Sequence, residues 1–595
     1  MTVLDDIPSR IFDLLPYYYE NYKNRSCLFA ACKAGKWIEY DGKLFCRLTD
    51  SLSLELLRRG LHKGDKVALI ATNSPQWNMI DFAVMQIGAI LVPIYPNISV
   101  IEFDYILDHS EAKAIFLDNP KTYNRYKESI VRHIDDHHVC FINGKREEHL
   151  VLDDLIQETV EDLTQKALLE ETKKSISPQE IATIIYTSGT SGTPKGVMLS
   201  HENIMENIKY YGAQYPVTKV AVSYLPLSHV FERSAQYTRI YYGVSTYYVE
   251  NTGTIMRDIA NVKPEHFSTI PRIIEKIHNG ILQNGNQLKG LKKRVFFWAI
   301  NLAYQYDETE RKNSWLYMRK IALANLLVFN KVKQVFGGNL KFIISGGAPV
   351  QPRLIKLFAA MHCPIIEGYG LTETSPVIST NSQVTGKIKA GTVGIPCSNL
   401  DVRIDGATSE ILVKGPSVMK AYYKDENLTH FAFTDEGYFH TGDKGYFDED
   451  GFLKITGRLK EIFKNSMGKY ISPAIMENKL CESPWFNNVI VVGEYQKFAA
   501  ALIVPNFEQI KQWCKETGIP YTTDTEMAKD NKVNVRVRQE VEKCNKSFNC
   551  FEQIKRFILL DHEWTVESGE LTPSLKIRRS VIMEKYKESI DALFD

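Results

Sequence analysis

Short apolar segments alternate with longer amphipathic segments along the chain from about residue 66 onward. The apolar run Lys66–Ala71 is followed by an amphipathic segment that ends at Gln86, and then by the apolar runs AILVPIY and KAIFL. Continuous apolar runs of this length predict buried strands, and the periodic segments between them predict helices. Strands that alternate with helices predict an open parallel sheet in an αβα arrangement.

The same pattern returns at Ala221–Leu225, at Tyr247–Glu250 and at Lys341–Ile344. The last of these predicted strands runs directly into the turn Ser-Gly-Gly-Ala-Pro. Open parallel sheets bind ligands where their strands end in glycine-rich turns. We therefore expect a ligand site at this end of the sheet.

The pattern changes twice toward the C-terminus. After about Thr392, short strands separated by turn signals predict a small antiparallel unit. Residues 458–595 combine charged helices with one strong apolar strand, AALIVPN. We predict an α/β N-terminal domain of residues 1–457, with a β subdomain near residues 392–457, and an α+β C-terminal domain of residues 458–595.

Composition narrows the classes of function. A chain of 595 residues exceeds what one hydrophobic core usually supports, so at least two lobes with a cleft between them are expected. Lys and Arg together number 72 against 71 Asp and Glu, which leaves no broad basic field for a nucleic acid. The 10 cysteines show no two-residue spacing of a zinc or redox site, so we expect reduced thiols and a cytoplasmic location.

The sequence predicts no segment that crosses a membrane. The first ten residues are acidic, where a secretory signal is basic and apolar. The most apolar window, Phe82–Tyr95, is interrupted by Gln86 and Pro93 and is shorter than the roughly 20 residues that span a bilayer. Any contact with a membrane is therefore expected to be peripheral.

The most informative segment is the glycine-rich loop Tyr186–Gly196 (YTSGTSGTPKG), which follows the apolar run Ile181–Ile185. Its glycines free the backbone to turn amide groups inward, and Lys195 supplies a positive charge for a polyphosphate. Four hydroxyl side chains add hydrogen-bond donors: Thr187, Ser188, Thr190 and Ser191. This chemistry predicts a phosphate-binding loop.

The loop differs from the Walker A motif. Pro194 stands where that motif needs glycine, and Gly196 follows Lys195 where it needs Ser or Thr. A flexible surface linker has a similar composition, so that alternative stays open. The preceding strand and the Pro-Lys-Gly ending favour the phosphate-binding interpretation.

The loop resembles the signature of the adenylate-forming superfamily, which includes acyl-CoA synthetases, peptide-synthetase adenylation domains and luciferases. Four later segments resemble its other motifs, in order: Gly368–Glu373, Tyr438–Gly445, Gly457–Glu461 and Leu575–Ile577. The resemblance implies an N-terminal adenylation domain and a mobile C-terminal lid domain. It also implies that ATP converts a carboxylic acid to an acyl adenylate, whose acyl group then passes to a thiol.

The resemblance implies an ATP site with bound Mg²⁺. Glu373 is expected to hold Mg²⁺ with the hydroxyl of Thr187 or Thr190, because hard cations prefer oxygen ligands, and Thr187, Lys195 and Glu373 are expected to serve catalysis. Tyr369 offers a flat face for adenine. The expected ATP-binding positions are Thr187, Ser188, Gly189, Thr190, Ser191, Gly192, Lys195, Gly346, Gly347, Ala348, Pro349, Tyr369, Gly370, Thr372, Asp443 and Arg458.

Four residues near the C-terminus complete the implied site. Asp443 is suited to accept hydrogen bonds from the ribose hydroxyls, and Arg458 is suited to a phosphate or ribose oxygen. By resemblance, Lys576 stabilises the leaving pyrophosphate and Lys460 is the hinge of the lid. Taken singly, each of these residues is as easily an ordinary surface charge.

The segment Leu225–Arg233 resembles the acyl-pocket motif of long-chain acyl-CoA synthetases. His229 within it is expected to bind or orient the acid, although a buried histidine satisfied by its neighbours is the alternative. Coenzyme A is the expected acceptor because the C-terminal segments resemble those of CoA ligases. Residues 291–335 predict a helical insertion, for which packing against the main sheet is favoured over contact with a membrane.

We therefore expect an enzyme whose substrates are a long-chain fatty acid, ATP and coenzyme A. Two alternatives remain. One is a ligase that loads the acyl group onto a carrier-protein thiol. The other is a non-catalytic protein of the same fold that binds acyl groups or nucleotides; the joint presence of Lys195, Glu373, Asp443, Arg458 and Lys576 speaks against it.

Overall fold

The structure is a computed structural model that describes residues 8–144, 149–156, 163–188, 193–572 and 576–595, with the side chains of Ser188 and Thr252 excepted. These residues form two compact units. The first unit contains residues up to 402 and residues 413–439, and the second contains residues 403–412 and 440–595. The predicted boundary at residue 458 stays a prediction.

The helices of the first unit are α1 Leu14–Asn21, α2 Gly42–Arg58, α3 Pro75–Gln86, α4 Val100–Ser110, α5 Pro120–His133, α6 Leu152–Leu155, α7 Leu163–Lys174, α8 His201–Gly212, α9 Val230–Tyr241, α10 Ile255–Val262, α11 Pro271–Gln287, α12 Gly290–Ala303, α13 Trp315–Ala324, α14 Asn330–Lys333, α15 Pro352–Ala360 and α16 Glu426–Phe431. Those of the second unit are α17 Pro473–Leu480, α18 Phe507–Thr517, α19 Asp524–Lys529, α20 Asn531–Asn545, α21 Arg579–Lys585 and α22 Lys587–Asp591. None of the helices in the described ranges is long and apolar enough to cross a membrane.

The first sixteen strands are β1 Phe29–Lys33, β2 Lys36–Tyr40, β3 Lys66–Ile70, β4 Ile90–Ile94, β5 Ala112–Leu117, β6 Val139–Phe141, β7 Leu150–Val151, β8 Ile181–Ser188, β9 Pro194–Ser200, β10 Val220–Ser223, β11 Ser245–Tyr248, β12 His266–Thr269, β13 Phe342–Ser345, β14 Ile365–Gly370, β15 Val377–Thr380 and β16 Ile395–Pro396. The later strands are β17 Asp401–Ile404, β18 Glu410–Lys414, β19 Ala421–Tyr422, β20 Phe439–Phe447, β21 Leu453–Arg458, β22 Phe463–Lys464, β23 Tyr470–Ile471, β24 Phe486–Val492, β25 Ala499–Pro505 and β26 Ile554–Leu559.

One sheet of the first unit has the strand order β19-β9-β8-β4-β3-β5-β6-β7. Strand β3 pairs in parallel with both β4 and β5, as the alternating apolar runs predicted. Helix α3 between β3 and β4 is capped at its N-terminus by Ser74, whose side chain accepts the N–H of Trp77. The sheet brings β8, which leads into the glycine-rich loop, beside these central strands.

The second sheet of this unit has the order β16-β15-β14-β13-β12-β10-β11-β1-β2. Its central strands β10 to β14 are parallel, with β12 beside β13 and β13 beside β14. Phe267 of β12 and Ile343 of β13 belong to a core that also contains inward-facing residues of α12 and of the helical stretch 315–336. The predicted strands and the predicted helical insertion are confirmed, and so is the α/β class.

The second unit contains most of the four-stranded sheet β17-β18-β20-β21 and a three-stranded sheet β24-β25-β26. In β24 and β25, alternate residues enter two different cores: Val489 and Val491 lie in one, and Ile490 and Val492 lie in the other. Side chains on a strand point alternately to its two faces, so a run that is apolar throughout must be covered on both. This explains why AALIVPN reads as a continuous apolar segment.

Candidate active site

The two ends of the glycine-rich loop form an antiparallel hairpin. Strand β8 pairs with β9 so that Thr187 lies opposite Lys195 and Ser188 lies opposite Pro194. Residues directly opposite in an antiparallel pair place their side chains on the same face of the sheet. The hairpin therefore holds the predicted hydroxyl and the predicted cation on one face, at the base of the loop.

The centre of this loop lies outside the described residues. Gly189, Thr190, Ser191 and Gly192 are among the residues that the structure does not describe, as is the side chain of Ser188. Their predicted role in ATP binding stays a prediction.

A single tyrosine links Lys195 to Glu373. The Lys195 ammonium lies 5.6 Å from the centroid of the Tyr422 ring, and the Tyr422 hydroxyl donates to Oε1 of Glu373 at 2.8 Å. Tyr422 lies on β19, opposite Val197 of β9. The Met419 N–H donates to the carbonyl of Glu373 at 2.7 Å, so the segment before β19 also holds the Glu373 backbone.

Tyr422 was not predicted from the sequence. Burial, followed by the negative charge of Glu373, raises the pKa of Tyr422 well above its ordinary value, so the phenol stays protonated and remains a donor. Its position depends on the pairing of β19 with β9, which joins residues more than 200 positions apart. No local signal in the sequence indicates that contact.

Glu373 has the chemistry that Mg²⁺ requires. It is a partly buried carboxylate in the short helical turn Thr372–Thr374 of the first unit, and one of its oxygens is fixed by Tyr422. Among the described residues, no group of three or more His, Cys, Asp or Glu side chains forms a metal cage. Beside a nucleotide, Mg²⁺ is usually held by one or two carboxylates and phosphate oxygens, with water as its other ligands.

The predicted base-binding turn Gly346–Pro349 follows β13, and Gly347 has a φ of 87°. The next residue, Val350, donates its N–H to Oε1 of Glu367 on β14 at 2.8 Å. Burial raises the pKa of Glu367 to about 8, and its other oxygen, Oε2, has no partner among the described residues. Glu367 therefore fastens the turn to the strand that carries Tyr369, a connection that the sequence did not reveal.

The residues after Glu367 occupy the end of β14 and the following turn. Gly370 must be glycine because a Cβ there would lie 1.6 Å from the carbonyl oxygen of Pro376. Tyr369 and Thr372 are partly exposed, as residues that contact a ligand must be. The structure thus places the turn after β13 and the segment Tyr369–Glu373 at the ends of two neighbouring parallel strands.

His229 is the N-cap of helix α9. Its Nδ1 accepts the N–H of Phe231 at 3.1 Å, so Nδ1 carries no proton and Nε2 is the donor in the neutral ring. Phe231, the second residue of α9, approaches the base-binding turn, because a Cβ at Gly346 would lie 3.4 Å from its ring. This geometry agrees with a binding role for His229, which stays a prediction.

A buried ionic network fixes α9. The Arg233 guanidinium pairs with Asp81 of α3, and it donates to Thr183 of β8 at 2.7 Å. The Tyr237 hydroxyl also donates to Asp81 at 2.6 Å. Because Thr183 lies on the strand that leads into the glycine-rich loop, this network orients α9 and His229 relative to that loop.

A pocket lies along one face of α9. Its lining includes Ala235, Thr238 and Tyr242 from α9 and the residue after it, together with Phe342 and Ile344 of β13. Phe231 and Gly346 continue these two walls toward the base-binding turn, since Phe231 is one helical turn before Ala235 and Gly346 is two residues after Ile344. Of the neighbouring tyrosines, Tyr242 lines the pocket, whereas Tyr237 is fully buried in the ionic network.

In the second unit, Asp443 and Arg458 lie opposite each other on β20 and β21, and Arg458 Nε is 3.1 Å from Asp443 Oδ1. Asp443 is buried and Arg458 is exposed. Glu410 supports the turn before Asp443, because its two oxygens accept the Gly442 N–H at 2.8 Å and contact His440 Nδ1 at 2.9 Å. The structure brings the two predicted residues together, and it adds Glu410, which the sequence did not single out.

The remaining two predicted residues also belong to the second unit. Lys460 is exposed in the turn after β21. Lys576 is exposed and lies in a hairpin in which Leu571 bridges Ile577, and its N–H donates to Oγ1 of Thr572 at 3.0 Å. The hinge role of Lys460 and the catalytic role of Lys576 stay predictions.

Comparison with known proteins shows the family of the chain. Residues 20–423 match the AMP-binding enzyme family, and residues 461–595 match the AMP-binding enzyme C-terminal domain. Long-chain-fatty-acid–CoA ligase FadD15 of Mycobacterium bovis is 32% identical over 565 residues, which cover 91% of this chain and 90% of the relative. Peroxisomal long chain acyl-CoA synthetase 7 of Arabidopsis thaliana is 32% identical over 566 residues, which cover 91% of this chain and 79% of the relative.

The fold agrees with that assignment. The crystal structure of the adenylation domain of a carboxylate reductase from Mycobacterium chelonae superposes with a TM-score of 0.75 at 18% identity, over 98% of this chain and 91% of that chain. The chain therefore belongs to the AMP-binding enzyme family, in the branch of the long-chain acyl-CoA synthetases.

Proposed function

We propose that the protein is a long-chain fatty acid–CoA ligase that uses ATP and works through an acyl adenylate. In the first half-reaction, a carboxylate oxygen of the acid bonds to the α-phosphorus of ATP, the bond to the bridging oxygen breaks, and pyrophosphate leaves. In the second, the sulfur of coenzyme A bonds to the acyl carbon, its proton is lost, and AMP leaves. Membership of the long-chain acyl-CoA synthetase branch supports both steps.

The main structural support for this proposal is the link from Lys195 through Tyr422 to Glu373, at the base of the glycine-rich loop. The attack of a carboxylate on a polyphosphate brings negative groups together, so positive charge and accurate positioning must supply most of the catalysis. In our proposal, Lys195 neutralises phosphate oxygens and the Thr187 hydroxyl donates to them. Mg²⁺, when bound, would neutralise further phosphate charge. Glu373 would hold it, and Tyr422 would keep the Glu373 carboxylate in position.

We propose nucleoside-binding roles for predicted residues of each unit, taken separately. In the first unit, the turn Gly346–Pro349 and the ring of Tyr369 would contact adenine. In the second unit, Asp443 would accept hydrogen bonds from the ribose hydroxyls and Arg458 would donate to a ribose or phosphate oxygen. The contact between Asp443 and Arg458 supports this assignment because it presents a carboxylate and a guanidinium side by side.

The acid would occupy the pocket along α9. His229 would orient the carboxylate through its Nε2–H, and the alkyl chain would lie between α9 and β13. The mostly apolar lining and the position of Phe231 between the pocket and the base-binding turn support this placement.

The proposal is tested by measuring pyrophosphate release from ATP with acetate, octanoate, palmitate and oleate, and thioester formation when coenzyme A is added. We expect palmitate and oleate to support release and to yield the coenzyme A thioester. Lys195→Ala should lose most of both activities. Lys121→Ala, which removes an exposed lysine of α5, should retain them.

Two outcomes would overturn the proposal. Pyrophosphate release with acetate but not with palmitate or oleate would exclude a long-chain acid. An acyl group that passes only to a carrier-protein thiol, with no coenzyme A product, would favour the carrier-loading ligase.

A further inference from the structure

Two neighbouring helical stretches of the first unit combine basic and apolar residues on their exposed surface. They are α12 (Gly290–Ala303) and the stretch 315–336, which comprises α13, a π-helical turn at Asn325–Phe329, α14 and a final 3₁₀ turn. Helix α12 packs against α13. We call the exposed residues of these two stretches the basic helical surface.

The inner faces of both stretches lie in the protein core. Phe296 and Ile300 of α12, and Ile321, Val328 and Phe329 of the second stretch, belong to the core beneath the nine-stranded sheet. The favoured prediction for this insertion, packing against the main sheet, describes these inner faces. That prediction assigns no function to the outer faces.

The outer faces of the two stretches carry large apolar side chains that are exposed to solvent. Leu291 is 75% exposed, Leu326 is 69% exposed, and Leu316 and Trp315 are each 65% exposed. Further exposed apolar residues on the two stretches are Trp298, Leu323, Leu327 and Val335. Single exposed leucines are ordinary on a protein surface, but this number within two adjoining helical stretches marks an interaction surface.

All the charged residues of the basic helical surface are positive. The two stretches contain seven basic residues, Lys292, Lys293, Arg294, Arg319, Lys320, Lys331 and Lys333, and no Asp or Glu, in a chain with a net charge of +1. None of the seven forms an ion pair within the described part of the chain. Arg319 instead lies with its guanidinium 4.3 Å from the centroid of the exposed Trp315 ring.

We propose that the basic helical surface binds the surface of an anionic phospholipid bilayer. Helices that lie in a membrane interface combine Lys and Arg with Trp and Leu and carry few acidic residues. Lys and Arg side chains lay their apolar stems on the hydrocarbon side and extend their charges to lipid phosphates. The absence of acidic residues from these two stretches favours an anionic partner, and the exposed leucines favour one with an apolar interior.

The inference stands on this surface alone and does not depend on the proposed reaction. Combined with the proposed function, it would place the enzyme where long-chain acids accumulate.

The test is flotation of the full-length protein with vesicles, without ATP or acid. Wild type should float with phosphatidylcholine vesicles that contain 30% phosphatidylglycerol, and weakly with phosphatidylcholine alone. Arg319→Gln/Lys320→Gln should lower the partition coefficient about tenfold or more, because each basic residue near an anionic surface contributes about 1 kcal/mol. Leu316→Gln/Leu326→Gln should lower it by a similar factor.

The matched control is Ile101→Gln/Val131→Gln, which replaces two apolar residues that are 83% and 64% exposed on α4 and α5. This variant should float like wild type. Failure of wild type to bind anionic vesicles, or equal loss of binding in the control and the leucine variant, would overturn the proposal. Equal binding of wild type to neutral and anionic vesicles would also contradict it.

A second measurement locates the contact. Brominated phosphatidylcholine in the anionic vesicles should quench part of the tryptophan emission of wild type, and Trp315→Phe should remove a large share of that quenching. Equal quenching in the two proteins would show that a different surface binds.

Discussion

The candidate residues of the two units are assembled in different ways. In the first unit, Lys195, Tyr422 and Glu373 come from separate elements and meet only because β19 pairs with β9. In the second unit, Asp443 meets Arg458 across one antiparallel ladder, and the two residues are 15 positions apart in the sequence. The first arrangement depends on long-range packing, whereas the second follows from one local pair of strands.

This difference has consequences for mutation. A change at a linking residue of the first unit should impair the site without removing any group that contacts substrate. In the second unit, the residues that we propose to act on ATP are held by their own hairpins. There, the loss of function should follow the loss of the charged group itself.

The largest loss of activity is expected from Lys576→Ala. In our proposal its charge stabilises the leaving pyrophosphate, and removal of one such group costs about 10²–10³-fold in rate. Exchange of labelled pyrophosphate into ATP measures this step directly. The control Lys587→Ala, at another exposed lysine of the second unit, should retain exchange. Unchanged exchange in Lys576→Ala would refute the assigned role.

The next largest loss of activity is expected from Glu373→Gln, which should lower kcat/KM for ATP by about 10²-fold. The amide keeps the size of the side chain and its contact with Tyr422 but loses the negative charge that we propose for Mg²⁺. Activity measured against Mg²⁺ concentration should therefore show a requirement for more Mg²⁺. The same Mg²⁺ dependence in the variant and in wild type would remove Glu373 from the metal site.

Glu367 gives the first unit a dependence on pH. Its pKa is raised from 4.5 to about 8, so between these values the unfolded chain has released a proton that the folded protein still holds. Stability therefore falls as pH rises from about 4.5 to about 8 and then stays level. Glu367→Gln keeps the acceptor for the Val350 N–H and does not titrate. Near pH 8 it should exceed wild type by about 4 kcal/mol in unfolding free energy, and the difference should shrink to about 1 kcal/mol near pH 5. A difference that is independent of pH in urea unfolding would contradict this.

The smallest loss of activity is expected from Tyr422→Phe, which tests whether Tyr422 positions Glu373 rather than acting on substrate itself. Tyr422→Phe removes one hydrogen bond to a charged group, which is worth about 1.5 kcal/mol, or roughly tenfold in kcat/KM for ATP. Thermal unfolding should change little because the ring remains. Raised Mg²⁺ should recover part of the activity, since Glu373 is still present. Tyr438→Phe, which removes another buried tyrosine hydroxyl of the first unit, should show no such Mg²⁺ dependence.

Sequence patterns predicted the elements whose signal is local. The runs Lys66–Ala71 and AILVPIY became parallel strands, and the segment 291–335 became helical, because apolar periodicity follows directly from which face is buried. The motif residues Asp443 and Arg458 were also found in contact.

The residues that hold the site together could not be predicted in the same way. Tyr422, Glu367 and Arg233 act through partners 49, 17 and 152 positions away. In the sequence each is an ordinary tyrosine, glutamate or arginine. Only the packing of strands and helices shows that Arg233 is buried beside Asp81 and that Glu367 supports the turn after β13.

The most direct test of the proposed reaction uses oleate labelled with ¹⁸O in both carboxylate oxygens, incubated with the protein, ATP, Mg²⁺ and coenzyme A. If the acid attacks the α-phosphorus, each turnover transfers one ¹⁸O into AMP, which mass spectrometry detects as a gain of 2 Da. We predict this label in AMP and none in pyrophosphate. Unlabelled AMP, or label in inorganic phosphate with ADP as the other product, would contradict the formation of an acyl adenylate.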